Sequence, residues 1–171
     1  MRTENFRAYL VVAIFSLVYG TLRFSSTLQA ARVLDRRDRV DLAMLHLQGE
    51  FVESNLGAAR AADGSTVVRM IAEKYIFVPD CVTVPAGIPV RLRITSADAA
   101  HGFKVAGVEV KTVPGSVTDI HFLLPAAGKY EFYCDEFCGP GHHAMMGRIV
   151  GVPTDQFQPQ GFEQGAACGQ P

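Results

Sequence analysis

KYEFYCDEFCGPGHHAMMGRIVGV, residues 129–152, carries both the fold signal and the chemistry of this chain. In its first part Tyr130, Phe132 and Cys134 alternate with Lys129, Glu131 and Tyr133. That is the period-two pattern of a half-buried strand. Its last part, GRIVGV, reads as a second strand. Between them lie two cysteines, two histidines and two methionines. Ligand-type side chains therefore sit on a loop joined to strands at both ends, which is the rigid mounting a metal site needs.

The same period recurs on either side of this stretch. Val90, Leu92 and Ile94 alternate with Arg91, Arg93 and Thr95, and Ile120, Phe122 and Leu124 alternate with Asp119, His121 and Leu123. Turn residues separate these runs at Pro79-Asp80, Pro85-Ala86-Gly87, Pro114-Gly115 and Ala127-Gly128,. About seven short strands from Thr66 onward predict an all-β sandwich or barrel. No helical crossover is evident, so antiparallel or mixed sheets are expected. No glycine-rich phosphate loop follows a strand.

Three chemistries compete for the loop. A Cys134–Cys138 disulfide leaves the histidines and methionines without a role. Zinc would take two cysteines and two histidines tetrahedrally, and has little use for methionine. Copper uses thiolate, imidazole and a weak thioether together. A mononuclear copper site would draw on Cys138, His142 and Met145, with His101 of DAAHGF from an earlier strand. It would leave Cys134 over. Two thiolates bridging two copper ions, each with one histidine, would use Cys134 as well.

CDEFCGPGHHAM resembles the C-x-E-x-C-x₃-H-x₂-M motif of the CuA domain of cytochrome c oxidase subunit II, and His101 matches that family's upstream ligand. The resemblance covers Thr66 to Pro153. It implies a cupredoxin-like Greek-key β-sandwich. It implies that Cys134 and Cys138 bridge two copper ions and that His101 and His142 are the terminal imidazoles. Met145 would be the axial thioether on one copper, and Glu136 would offer its backbone carbonyl to the other. The family pattern selects His142 and Met145 over His143 and Met146.

The resemblance also implies a circuit. Cytochrome c, or another small periplasmic donor, would pass electrons to this domain and on to haem in subunit I, where oxygen is reduced. The chain would be the electron-accepting subunit of the oxidase, with no catalytic site for oxygen of its own. In the family the Glu136 carboxylate also contributes to an interfacial magnesium site, completed in part by subunit I. Many members present a tryptophan to the incoming electron, whereas this chain has none. Tyr75, in EKYIF, is the candidate in its place, with plain core packing as the competing reading. Glu73, Asp135 and Glu136 suggest a small acidic docking patch. A haem–copper nitric oxide reductase subunit and a membrane-tethered copper-binding or copper-delivery protein are the alternatives.

Outside the motif, AYLVVAIFSLVYGTL at 8–22 is uncharged and flanked by Arg7 and Arg23. With its flanks it reaches the lower limit of a bilayer span if the arginines snorkel. It reads as one uncleaved N-terminal transmembrane helix rather than a signal peptide. This resembles the short, single-helix branch of B-type oxidases and places the copper domain on the periplasmic or extracellular face of the plasma (inner) membrane. The expected organisation is an anchor over 1–25, a helical segment and linker over 26–65, the CuA domain over 66–153 and a tail over 154–171.

Val40, Met44, Leu47 and Phe51 recur at helical spacing and predict a helix over 33–54 with a break near Gly49,. Gly57 and ARAADG read as a linker. Cys81 and Cys168 stand apart in the sequence and read as a small buried residue and a free thiol on the tail. His46 and His121 match no ligand position and read as surface residues. The 16 basic and 17 acidic residues are nearly balanced. No basic cluster calls for nucleic acid.

Overall fold

Alternating apolar residues build ten strands in the computed structural model, which describes residues 38–159 together with Ser16 and Cys168. The strands are β1 Gly57–Arg60, β2 Thr66–Glu73, β3 Ile76–Val78, β4 Cys81–Pro85 and β5 Val90–Ser96. They continue as β6 His101–Val105, β7 Val108–Thr112, β8 Val117–Phe122, β9 Gly128–Tyr133 and β10 Met146–Val152. One sheet has the order β1-β2-β5-β8, with β3 also on β2, and the other has the order β4-β10-β9-β6-β7. The sheets are mixed: β2 runs parallel to β5 and β4 parallel to β10, while the remaining pairs are antiparallel. The anchor expected over 1–25 lies outside the described residues. Among the described residues no helix is long and apolar enough to cross a membrane.

The inward residues of both sheets share one core. Val68 and Met70 of β2 and Leu92 and Ile94 of β5 meet Val82, Val84, Phe103, Phe132 and Ile149 of the facing sheet. At its centre Phe77, Phe103 and Phe132 pack with ring centroids 5.0–5.7 Å apart. Each such side chain stabilises the fold by about 1.5–3 kcal/mol relative to exposure. Phe132, buried here, is two residues before Cys134, so the core reaches up to the first thiol.

The predicted alternation fails at one position. Arg93 points away from the core as expected, yet it is only 8% exposed. Residues 38–56 lie over it. The guanidinium donates to Glu50 Oε2, Asp38 Oδ2 and Asp119 Oδ2, each at 2.7 Å. A buried guanidinium is tolerated because its donors are met by carboxylates.

The helix expected over 33–54 does not form across 38–54. That stretch contains short 3₁₀ turns, at Leu42–Met44 and Glu53–Asn55. The Asp41 carboxylate accepts from Ala43 N at 3.0 Å and starts the first turn. Gly49 takes a positive φ of 89°. Leu47, one of the predicted stripe residues, is 74% exposed. Instead Leu45, Phe51 and Leu56 turn inward onto Ile71 and Val117. Tertiary demands override a modest helical periodicity here: the chain must deliver both Asp38 and Glu50 to Arg93 while burying these residues. The expected linker at Gly57 is likewise strand β1, paired along β2 from Gly57↔Arg69 to Arg60↔Thr66.

Cys81 and Cys168 are joined in a disulfide, with Cα atoms 5.7 Å apart across a sequence separation of 87 residues. The expectation of two separate thiols is overturned. Nothing local in the sequence marks the pair, because only the chain path brings their Cα atoms within bridging range. Cys134 and Cys138 are free.

Candidate metal centre

The centre is built where β9 hands over to β10. Tyr133 and Met146 are paired across these antiparallel strands. Cys134 N donates to Met145 O at 3.0 Å and closes the neck of the loop. Inside it, His142–Ala144 forms a 3₁₀ turn, and His142 N donates to Gly139 O at 3.0 Å. The neighbouring β6 begins at His101 and brings its imidazole to the same end of the sandwich.

Six groups named from the sequence converge there. Cys134 Sγ and Cys138 Sγ lie 3.8 Å apart. His101 Nδ1 is 3.9 Å from Cys134 Sγ, and His142 Nδ1 is 3.9 Å from Cys138 Sγ. Glu136 O lies 3.1 Å from Cys134 Sγ, and Met145 Sδ lies 3.8 Å from Cys138 Sγ. Each thiol thus has one imidazole and one weaker donor beside it. His101, Cys134, Cys138 and Met145 are buried, while His142 is half-buried at the surface. The doubled residues separate cleanly: Met146 is 54% exposed and His143 is exposed, so the first member of each pair faces inward.

The spacings and the donor types fit metal. With bonds of about 2.3 Å to sulfur and 2.0 Å to nitrogen, as for zinc, two donors on one ion at an open angle stand about 3.6–3.8 Å apart. The sulfur–sulfur and sulfur–nitrogen separations here are close to that. Two thiols, a thioether and two imidazoles are soft to intermediate donors, suited to copper and not to magnesium or calcium. Burial, and then the neighbouring Cys134, pushes the Cys138 thiol up to about 11. The bare site therefore disfavours its thiolate. A cation reverses this preference, and binding releases the proton.

Asp98 is the residue that sequence reading missed. His101 Nε2 lies 2.8 Å from Asp98 Oδ1, and Lys74 N donates to Asp98 Oδ2 at 2.8 Å. With Nε2–H donated to the carboxylate, the Nδ1 lone pair is directed at the thiols, the usual device for orienting a ligating histidine. Burial raises the Asp98 carboxyl, but the hydrogen bonds from His101 and Lys74 outweigh it and hold the group below the usual carboxylate range. A carboxylate three residues before the histidine, in DAAH, was the available signal.

Tyr75 is half-buried and packs on the ligand loop. A Cβ at Gly139 or Gly141 would run into its ring. Glycine is required at Gly139 on a second count, since its φ is 136°,. Two of the three carboxylates of the expected acidic patch, Glu73 and Glu136, have basic partners. Glu73 meets His46 at 3.4 Å, Glu136 meets Lys111 at 2.9 Å, and Asp135 lies against Gly102.

The family description "cytochrome c oxidase subunit II, periplasmic domain" matches residues 65–152. The chain belongs to the cytochrome c oxidase subunit II family. Cytochrome c oxidase subunit 2 of Thermus thermophilus is 30% identical over 115 residues, covering 66% of this chain and 85% of the relative. The Brettanomyces custersianus subunit 2 is 32% identical over 78 residues, covering 44% of this chain and 32% of the relative. A chain in the cryo-EM structure of a haem–copper terminal oxidase dimer superposes with a TM-score of 0.51 at 26% identity, over 85% of this chain and 99% of that one. The present subunit II is thus a component of a haem–copper terminal oxidase, and the sandwich is its periplasmic domain. The donor set suits copper, the metal of the family's CuA domain.

Proposed function

We propose that His101, Cys134, Glu136 O, Cys138, His142 and Met145 hold a binuclear copper centre, through which this subunit II accepts electrons from cytochrome c or another small periplasmic donor and delivers them to subunit I. The observation that carries the reading is the order of donors. Imidazole, thiol, thiol and imidazole follow one another at 3.9, 3.8 and 3.9 Å, with one weak donor beside each thiol. A mononuclear site on Cys138, His142, Met145 and His101 would leave the buried thiol of Cys134 without a role.

Copper, when bound, supplies a one-electron couple shared over two ions and two sulfurs. The chain's own residues keep that exchange fast and selective. Cys134 and Cys138 are buried, so water and substrates do not reach them. The neck bond Cys134 N–Met145 O and the 3₁₀ turn limit loop movement between oxidation states. Asp98 fixes the His101 ring. Tyr75, seated against Gly139 and Gly141 at the loop surface, is where the incoming electron arrives. The half-buried His142 faces the exit to subunit I. Oxygen chemistry belongs to subunit I, and residues 1–25 anchor the chain in the membrane with the copper domain on the periplasmic side. The near balance of acids and bases makes electrostatic steering of the donor modest.

The test is copper loading of the full chain with a metal count and an electron paramagnetic resonance spectrum. Two coppers per chain, with one electron's hyperfine splitting shared equally between them, is the expected result. One copper with an unshared splitting would reduce the centre to a mononuclear carrier and remove Cys134 from the mechanism.

A further inference from the structure

We infer that Lys111 is the resident cation of the Glu136 carboxylate, standing where a divalent ion would bind and setting the charge beside the thiol pair. The inference rests on the binuclear reading above and concerns the same site.

The chain path makes the contact. β7 pairs with β6 through His101↔Thr112 and Gly102↔Lys111. After Cys134 the loop crosses back over β6 at Gly102. A Cβ there would run into the Asp135 carboxylate and stand 2.8 Å from Glu136 N. The peptide of Glu136 therefore lies on β6 one residue from His101. Glu109 and Lys111 share one exposed face of β7, as residues two apart on a strand do,. Both are engaged. Glu109 meets Lys104 at 2.8 Å, and Lys111 Nζ meets Glu136 Oε1 at 2.9 Å.

The electrostatics give this pair a role. Glu136 turns its carbonyl to Cys134 and its carboxylate to Lys111. A bare carboxylate so close would oppose the arrival of an electron, and the ammonium cancels that field. Magnesium needs a near-octahedral set of oxygens around it. Here the one carboxylate offered by the motif already carries a cation. A divalent ion would have to displace Lys111 or sit against it, charge on charge. Lysine at 111 is thus a substitute for the metal and not a bystander to it. The pair is half-exposed and contributes little to stability, so variants at this position should fold,.

The experiment uses the purified oxidase complex carrying K111M, K111R, E136Q or K111M/E136Q. Two quantities are read: the copper midpoint potential by spectroelectrochemistry, and bound Mn²⁺ by electron paramagnetic resonance after growth with manganese in place of magnesium. Loss of the ammonium in K111M should lower the midpoint. K111R should keep it, and the double variant should return it towards wild type. The wild-type and E136Q complexes should hold the same amount of Mn²⁺. A K111M midpoint equal to wild type, with its two-copper spectrum intact, overturns the inference. So does a wild-type Mn²⁺ signal that vanishes in E136Q. Absence of a two-copper spectrum in the wild-type complex sinks the binuclear reading instead, and the manganese comparison still decides this one.

Discussion

Asp98 Oδ1 accepts from His101 Nε2 at 2.8 Å, while the other imidazole nitrogen of that ring faces Cys134. The carboxylate lies three residues ahead of the histidine and is itself held by Lys74 N. It leaves the ring no freedom to turn or to present the wrong nitrogen. Asp98→Ala should weaken copper binding by about 10–100-fold, the usual cost of losing such a partner. Asp98→Asn, which keeps an acceptor, should recover part of it. Competition against a copper chelator measures both, and equal affinities for wild type and Asp98→Ala would deny Asp98 an orienting role.

Met145 and Met146 are adjacent in sequence and opposite in environment. Met145 is 1% exposed with Sδ 3.8 Å from Cys138 Sγ, and Met146 is 54% exposed. Met145→Leu conserves volume, so the fold and the two-copper spectrum should survive while the midpoint potential moves. Met146→Leu should change neither. Redox titration of the two variants side by side settles the register, and the reverse ranking would reassign the axial donor.

The Cys81–Cys168 bridge closes a long loop, and its start is near the centre. Cys81 is paired with Arg148 in the parallel β4–β10 ladder. Its neighbour Asp80 accepts from Arg148 N at 2.8 Å. Cys168→Ser should destabilise the chain by about 2–5 kcal/mol in chemical denaturation. In the copper-free wild type, unfolded in denaturant without reductant, an alkylating reagent should label Cys134 and Cys138 alone, with Cys81 and Cys168 labelled only after reduction. Peptide mass mapping that finds four reactive thiols before reduction would rule the bridge out.

The network around Arg93 makes acid stability predictable in sign. Hydrogen bonding from Arg91, then from Arg93, holds the Asp119 carboxyl below its ordinary value of 3.8 despite partial burial. A group depressed in the folded state contributes stability that is present above the unfolded value and is lost as pH falls through the folded one. Thermal stability should therefore drop more steeply below about pH 4 in the wild type than in Asp119→Asn, which begins lower and falls less. Parallel acid slopes would show that Asp119 is not tied to Arg91 and Arg93. Arg93→Met should lower stability at neutral pH, because Glu50, Asp38 and Asp119 would then face one another without their shared cation,.

What the sequence determined by itself was local. Period-two alternation marks a strand within a few residues, so β5, β8 and β9 were legible directly. The loop's donors lie within one short stretch of chain, so their chemistry could be read together, with His101 added by its match to the family pattern. Tertiary structure decided what depends on distant chain. The burial of Arg93 appears only once 38–56 is laid over β5 to bring Asp38 and Glu50 to it. Those same ion pairs, with the burial of Leu45 and Phe51, overrode the helix that the spacing of Val40, Met44, Leu47 and Phe51 suggested. The Cys81–Cys168 bridge and the Lys111–Glu136 pair join residues far apart in sequence. Periodicity reports which face a residue takes, but a contact energy depends on distance in space, and that is settled only when the two sheets close on one core.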